Sequence, residues 1–157
     1  MAERSISDTP RRLAALRRLL TVMVALLSYI GGCALLVLVS GMWLVEAPQV
    51  TLSFLFWTFM PYATMGAPFY WMLCSVITRR LGRNKKAMLM SILVCGLYFV
   101  VPAALVYIML LIPVPELLVS RAALMFYILF GSSGILFGFG YSIVQRLVSA
   151  ESELSIK

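Results

Sequence analysis

The sequence lacks histidine altogether and is poor in acidic residues. Among its 157 residues there is no His, and Asp and Glu together number only 6. Because imidazole is the commonest metal ligand and general base in proteins, its absence excludes His-ligated zinc, His-ligated haem and His-dependent catalysis. All charged residues together make up 12% of the chain, which is about half of the usual share in soluble domains.

Cysteine is also scarce, with only Cys33, Cys74 and Cys95. Each lies inside an apolar run, and no two of them have the Cys-x-x-Cys spacing. This usage excludes a disulfide framework, and we do not expect the three thiols to form a redox pair. Since free cysteine is one of the most buried residue types, the sequence predicts that they are small packing residues.

Hydrophobic residues are abundant, at 62% of the chain, against about 45–50% in soluble proteins. Four apolar runs, at 19–45, 50–78, 87–112 and 122–144, have no Asp, Glu, Lys or Arg in their interiors. Each reaches the roughly 20 residues that a helix needs to cross a bilayer. Because unpaired backbone groups are costly in lipid, such runs must be helical. The sequence therefore predicts an all-α polytopic membrane protein, a single domain over 1–157 with a bundle of four transmembrane helices.

The basic residues predict how this bundle is oriented. With four spans, every Lys and Arg except Arg121 falls on the same side. The positive-inside rule then places both termini in the cytoplasm, with a basic amphipathic arm at 1–18 and a tail at 145–157. The residues assigned to topology and to lipid headgroup contact are Arg11, Arg12, Arg17, Arg18, Arg79, Arg80, Arg83, Lys85 and Lys86. The net charge of +7 lies in short clusters between apolar runs, which favours a membrane over nucleic acid as its partner. The Leu-, Ala- and Arg-rich composition with minimal loops suggests a bacterial inner membrane.

Small residues recur on the fourth run at spacings of three and four, so they share one face of a helix. Small residues let two membrane helices approach closely. Ser133 and Gly140 form a second small patch nearly opposite, and the first run has a shorter stripe that predicts packing of the first helix on the fourth. These faces are predicted either to pack within the bundle or to dock a protein partner. The interface candidates are Gly131, Gly134, Gly138, Ser142, Ser28 and Gly32.

The second run contains two prolines, Pro61 and Pro68, each of which removes a helical hydrogen bond. Tyr62, Thr64 and Gly66 lie between them, near the middle of the predicted span. Interrupted helices at mid-depth are where many transporters bind substrate. These five residues are therefore either a substrate path or part of a kinked structural helix.

Aromatic residues give a further expectation about depth. Trp43, Trp71, Tyr70 and Tyr141 fit the aromatic belts at the two membrane interfaces. Trp57 lies deeper in its run, and we expect it to pack between helices.

No ionisable residue lies inside the runs, and no nucleophile has a basic partner, so the sequence predicts a non-enzymatic protein with no cofactor and no metal. Its predicted partners are the lipid bilayer and either another membrane protein or further copies of itself. The leading hypothesis is an accessory or assembly subunit, or a neutraliser of a membrane toxin. Colicin immunity proteins and the small membrane subunits of tripartite transporters resemble it in outline, with no shared motif. The alternatives are a homo-oligomeric transporter or channel and, least favoured, an enzyme acting on lipids.

Overall fold

The computed structural model describes residues 3–43, 52–82, 84–98 and 121–154. These ranges form helices, and no β-strand occurs in them, so the predicted all-helical class is confirmed for this part of the chain. The elements are α1 (Glu3–Trp43), α2 (Leu52–Pro61), a π-helix (Tyr62–Gly66), α3 (Ala67–Leu81), α4 (Lys85–Leu97) and α5 (Arg121–Leu154).

Two of these helices are long and apolar enough to cross a membrane. They contribute Ala14–Gly41, of 28 residues, and Ala123–Ser149, of 27 residues. At about 1.5 Å per residue, either one exceeds the roughly 30 Å of bilayer hydrocarbon. The second predicted run is divided among shorter elements, and the third is described only as far as Tyr98. The structure thus shows two helices of spanning length, and the four-span bundle stays a prediction.

The second run follows one helical path with a widened turn in its middle. The Ala67 amide donates to the carbonyl of Tyr62, a spacing of five residues instead of four. Pro68 follows directly, and in a regular α-helix its ring would collide with the Thr64 carbonyl. A single widened turn is a common way for a helix to absorb such an interruption. The two prolines are therefore accommodated within a continuous helical stretch.

Helix α1 packs along α5 in the antiparallel direction. Near the middle of α1, Gly32 lies against Leu129 and Ser133 of α5. Closer to the start of α1, Val24 lies against Gly140, further along α5. The predicted contact between the first and fourth helices is therefore confirmed, and the beginning of α1 lies beside the end of α5.

Helix α4 packs on another face of α5, also antiparallel. Its contacts pair Cys95 with Gly134 and Ser91 with Gly138. Helix α3 precedes α4 and ends at Gly82, whose φ of 73° lies in the left-handed region that residues with a Cβ avoid. The last turn of α3 and the first turn of α4 consequently lie at the same end of the molecule as the end of α5.

The aromatic residues differ in part from their predicted positions. Trp57 is 72% exposed, so the prediction that it packs between helices is wrong. Tyr70 and Tyr141, expected in the aromatic belts, are 1% and 0% exposed, so they pack inside the bundle, and their depth in a membrane stays a prediction. Their burial is possible because each hydroxyl finds a partner; that of Tyr70 donates to the Phe130 carbonyl over 3.0 Å. Trp71 is half exposed, and its place at a membrane interface stays a prediction.

The outer surface of the described helices is strongly apolar. Large hydrophobic side chains are exposed on every α-helix, among them Leu27, Ile30, Phe56, Trp71, Leu97 and Phe139. The buried residues include tyrosines, serines, a threonine and a glutamine. A soluble protein rarely exposes so much contiguous apolar surface, whereas lipid is a favourable solvent for it.

Candidate functional site

The α4 face of α5, which we define as Gly131, Gly134 and Gly138, lies directly against the α4 backbone. A Cβ added to Gly134 would overlap the Cys95 carbonyl, and one added to Gly138 would lie 2.8 Å from the Ser91 oxygen. Gly131 is buried on the same side, where its carbonyl faces Gly96. Glycine is required here because any side chain would push the two backbones apart.

The α1 face of α5, defined by Ser133 and Gly140, receives α1. A Cβ on Gly32 would overlap the Ser133 hydroxyl, and one on Gly140 would lie 2.8 Å from Val24. Ser133 is fully buried, and its hydroxyl has no hydrogen-bond partner among the described residues. Both small-residue faces of α5 are thus occupied by helices of the same chain.

The two remaining interface candidates bond locally or to the second run. Ser142 is half-buried, and its hydroxyl donates to the Gly138 carbonyl of its own helix over 2.8 Å. Ser28 is buried, and its oxygen lies 2.6 Å from the Tyr62 hydroxyl. A partner protein would have to contact surfaces other than these while the bundle keeps its packing.

The five residues of the possible substrate path face in two directions. Tyr62 and Gly66 are buried, and the Tyr62 hydroxyl donates to the Ala25 carbonyl over 2.9 Å. Pro61, Thr64 and Pro68 are exposed on the outside of the bundle. The Thr64 hydroxyl donates to the Met60 carbonyl of its own helix. The inward residues therefore hold α1 against the second run, and the outward ones point away from the interior.

A second hydroxyl pair, not identified from the sequence, reinforces the contact between α1 and α2. The Tyr29 hydroxyl lies 2.8 Å from Thr58 Oγ1 and donates to the Leu55 carbonyl over 2.5 Å. The available signal was the tyrosine directly after Ser28 in an apolar run, because a hydroxyl in lipid must find a partner. Together with the Tyr62–Ser28 pair, it sets the register between the first and second runs.

A row of buried aromatic rings runs through the interior of the bundle. The ring centroids of Tyr29 and Tyr62 are 4.9 Å apart, and those of Tyr62 and Tyr70 are 6.2 Å apart. The row continues through Phe137 to Tyr141, with centroid distances of 5.7 and 6.1 Å. These distances are typical of favourable aromatic pairs, so this row is a packed core.

Two of the three cysteines meet in that core, which their spacing did not predict. The sulfur atoms of Cys74, on α3, and Cys95, on α4, lie 3.4 Å apart, and both side chains are fully buried. They are free thiols, because a disulfide would hold the sulfurs about 2.05 Å apart. The prediction that the cysteines are buried packing residues is confirmed for these two, and the expectation that no two thiols form a redox pair stays a prediction.

A polar cluster joins the beginning of α1 to the end of α5. The side chain of Arg17 is half-buried, and its Nη2 donates to the Tyr141 hydroxyl over 3.3 Å. The Gln145 oxygen accepts from Arg17 Nε and Nη2 at 3.0 and 2.8 Å, and from the Tyr141 hydroxyl at 2.9 Å. This amide orientation is the one that satisfies the hydrogen bonds, because the reverse one would direct the amide nitrogen at donors only. Gln145 is 3% exposed, so α5 holds the Arg17 guanidinium in place.

Other basic residues lie at the same end of the bundle. Because α1 and α4 run antiparallel to α5, the start of each helix comes level with the end of α5. We call this set the basic end; its members are Arg17, Arg18, Arg79, Arg80, Lys85, Lys86 and Arg146, all exposed except Arg17. Of the other predicted headgroup residues, Arg83 and the side chains of Arg11 and Arg12 lie outside the described part of the chain.

Comparison with protein-family models, with curated proteins and with solved structures finds no match to this chain.

Proposed function

We propose that this chain is a multi-pass protein of a bacterial inner membrane, with both termini in the cytoplasm. The observation that carries the proposal is the basic end. Basic residues from α1, α3, α4 and α5 come together there, and two long apolar helices lead away from it. Cytoplasmic ends of membrane helices carry such an excess of Lys and Arg, and the exposed apolar side chains along the flanks suit contact with lipid.

We further propose that the protein works without catalysis, through contact with another membrane protein. It would serve as an accessory or assembly subunit, or as a neutraliser of a membrane toxin. In support, the buried polar groups of Ser28, Tyr62 and Gln145 are committed to holding the bundle's own helices together. What the bundle offers to other molecules is then its apolar flanks and its basic end.

The topology is tested with reporter fusions. Alkaline phosphatase, which is active only outside the cytoplasm, and a fluorescent protein, which folds in the cytoplasm, are fused in turn after Lys157, after Gly82 and after Gln49. We expect fluorescence from the first two fusions and phosphatase activity from the third. Phosphatase activity after Gly82 would contradict the proposed orientation.

The partner is tested by native purification of the full chain through a tag at Lys157 in mild detergent, followed by native mass spectrometry. A different membrane protein at fixed stoichiometry is the expected result. Recovery of only this chain, at a defined copy number, would contradict the proposal.

A homo-oligomeric transporter is the second candidate, and the π-helix favours it, because such turns are frequent at functional sites. Pro61, Thr64 and Pro68 are exposed, so they would line a path between copies of the chain. The test is Thr64→Cys in a background without native cysteines, treated in membranes with a membrane-impermeant maleimide. Faster labelling than at Ile30→Cys, on the exposed flank of α1, would support a path. Equal protection of the two positions would rule it out.

A further inference from the structure

We propose that Arg17, positioned by Tyr141 and Gln145, binds the phosphate group of an anionic phospholipid at the basic end. The inference deepens the proposed function by naming a ligand, and it rests on the proposed membrane location. The Arg17 guanidinium is held by α5 and still has N–H donors that are free among the described residues.

The hydrogen bonds of Arg17 leave one nitrogen free. Arginine has five N–H donors, arranged in a rigid plane. Nε uses its single donor on Gln145, and Nη2 donates to both Gln145 and Tyr141. The two N–H groups of Nη1 have no partner among the described residues. Since Tyr141 and Gln145 are 0% and 3% exposed, the acceptors that orient the guanidinium are fixed in the interior of the bundle.

The two acceptors that Arg17 has among the described side chains are neutral, and each is already engaged with the other. A half-buried guanidinium favours a nearby anion, and its planar fork matches phosphate oxygens better than an ammonium group does. The remaining cations of the basic end raise the local concentration of anions without orienting them.

The depth of the cluster favours a lipid as the source of the phosphate. Arg17 lies in the first turn of Ala14–Gly41, and Gln145 lies about one turn before the end of Ala123–Ser149. This is the level at which an apolar span meets the headgroup layer. In the same stretches Leu19, Val22 and Leu147 are exposed, and acyl chains can lie against them. Basic pockets between membrane helices on the cytoplasmic side are a known way to bind acidic headgroups.

The experiment uses the full chain, purified in detergent and examined by native mass spectrometry with added dioleoyl phosphatidylglycerol or dioleoyl phosphatidylcholine. We expect the phosphatidylglycerol complex to predominate. Arg17→Gln should weaken phosphatidylglycerol binding about tenfold, as expected for loss of a charge-assisted contact. Arg18→Gln is the matched control, since it removes the same charge from an exposed neighbour, and its effect should stay below about twofold.

Tyr141→Phe is a second variant that tests positioning. It keeps the ring packed on Phe137 and removes the hydroxyl that accepts from Arg17. We expect weaker phosphatidylglycerol binding with the helical circular dichroism unchanged. This variant keeps the inference testable if Arg17→Gln fails to fold.

Three results would overturn the inference. Equal binding of the two lipids would show that Arg17 does not recognise the negative charge of the headgroup, since the choline of phosphatidylcholine makes that headgroup neutral overall. Equal losses in Arg17→Gln and Arg18→Gln would show that only net charge matters. Displacement of phosphatidylglycerol by inorganic phosphate, with phosphate bound in its place, would make the ligand a soluble anion. The lipid preference is measured on the purified protein alone. The lipid preference can therefore be absent although a protein partner is found, or present although no protein partner is found.

Discussion

Helix α5 makes two different kinds of contact, and the difference shows how this bundle is assembled. Toward α4, glycines bring backbone against backbone, with Gly134 beside the Cys95 carbonyl. Toward α1, side chains make most of the contact, through Ser133 near the middle and the Arg17–Gln145 cluster at the end, while the Leu129 carbonyl also lies 3.0 Å from a Cβ added at Gly32. A glycine contact sets the distance between helices and tolerates no added atom. A polar side-chain contact sets the register of the two helices, and substituting its side chains should lower the free energy of unfolding by less.

The largest expected effect is on the α4 side. Gly134→Leu places a branched side chain where the Cys95 carbonyl lies, so α4 must move away from α5. We expect a loss of about 3 kcal/mol in the free energy of unfolding, at the upper end for overpacked cores. The measurement is an SDS titration in mixed micelles, followed by circular dichroism. Gly41→Leu should unfold like the unsubstituted protein, because no described side chain or neighbouring helix lies within 4 Å of a Cβ added there. Unchanged unfolding of Gly134→Leu would disprove the close contact.

A smaller loss is expected at the α1 side. Gly32→Ala displaces the Ser133 hydroxyl, and we expect it to lower the free energy of unfolding by about 1–2 kcal/mol. The loss is smaller than at Gly134 because a hydroxyl, unlike a backbone carbonyl, can be moved or removed. Ser133→Ala alone should not reduce stability, because its hydroxyl lacks a partner in the described structure. In the double variant, more than half of the Gly32→Ala loss should be recovered. The same SDS titration measures all three, and strictly additive losses would contradict a direct contact.

The hydroxyl contacts between α1 and the second run should be weaker again. Tyr62→Phe removes the bonds to Ser28 and Ala25 and keeps the ring packed on Tyr29. We expect a loss of about 0.6–1.7 kcal/mol, the range for hydrogen bonds between membrane helices. Thr64→Val is the control, since that hydroxyl bonds only within its own helix. A larger loss for Thr64→Val than for Tyr62→Phe would reverse the assignment of inward and outward residues.

The smallest effect is expected at Trp57, where the sequence-based expectation and the structure disagree most. Because 72% of the Trp57 surface is exposed, Trp57→Leu should change the free energy of unfolding by less than about 0.5 kcal/mol. If the side chain packed between helices, the loss would be about 3–5 kcal/mol. The SDS titration separates the two outcomes, with Trp71→Leu as a second exposed tryptophan for comparison.

Spacing along one helix was enough to find the small-residue stripes of α5, but it could not say what would cover them. Gly134 and Gly138 share a face whatever the fold is, because the helical period is a local property. Their neighbour is decided by how α4 rotates about its own axis, and no local pattern encodes that rotation. The same limit applies to Tyr70 and Tyr141, whose burial between helices no local pattern indicated. Their carbonyl and amide partners lie on other parts of the chain.

Amino-acid order by itself determined the helical class and the clustering of basic residues between apolar runs. Long apolar runs without charge must form helices wherever water is absent, and clusters of Lys and Arg mark one end of them. Only the tertiary structure decided that Cys74 meets Cys95, that Thr58 meets Tyr29 and that Arg17 meets Gln145. These contacts join residues far apart in sequence, and each depends on the rotation and register of two helices. That geometry is set by the packing of the whole bundle, because each helix must satisfy several neighbours at once.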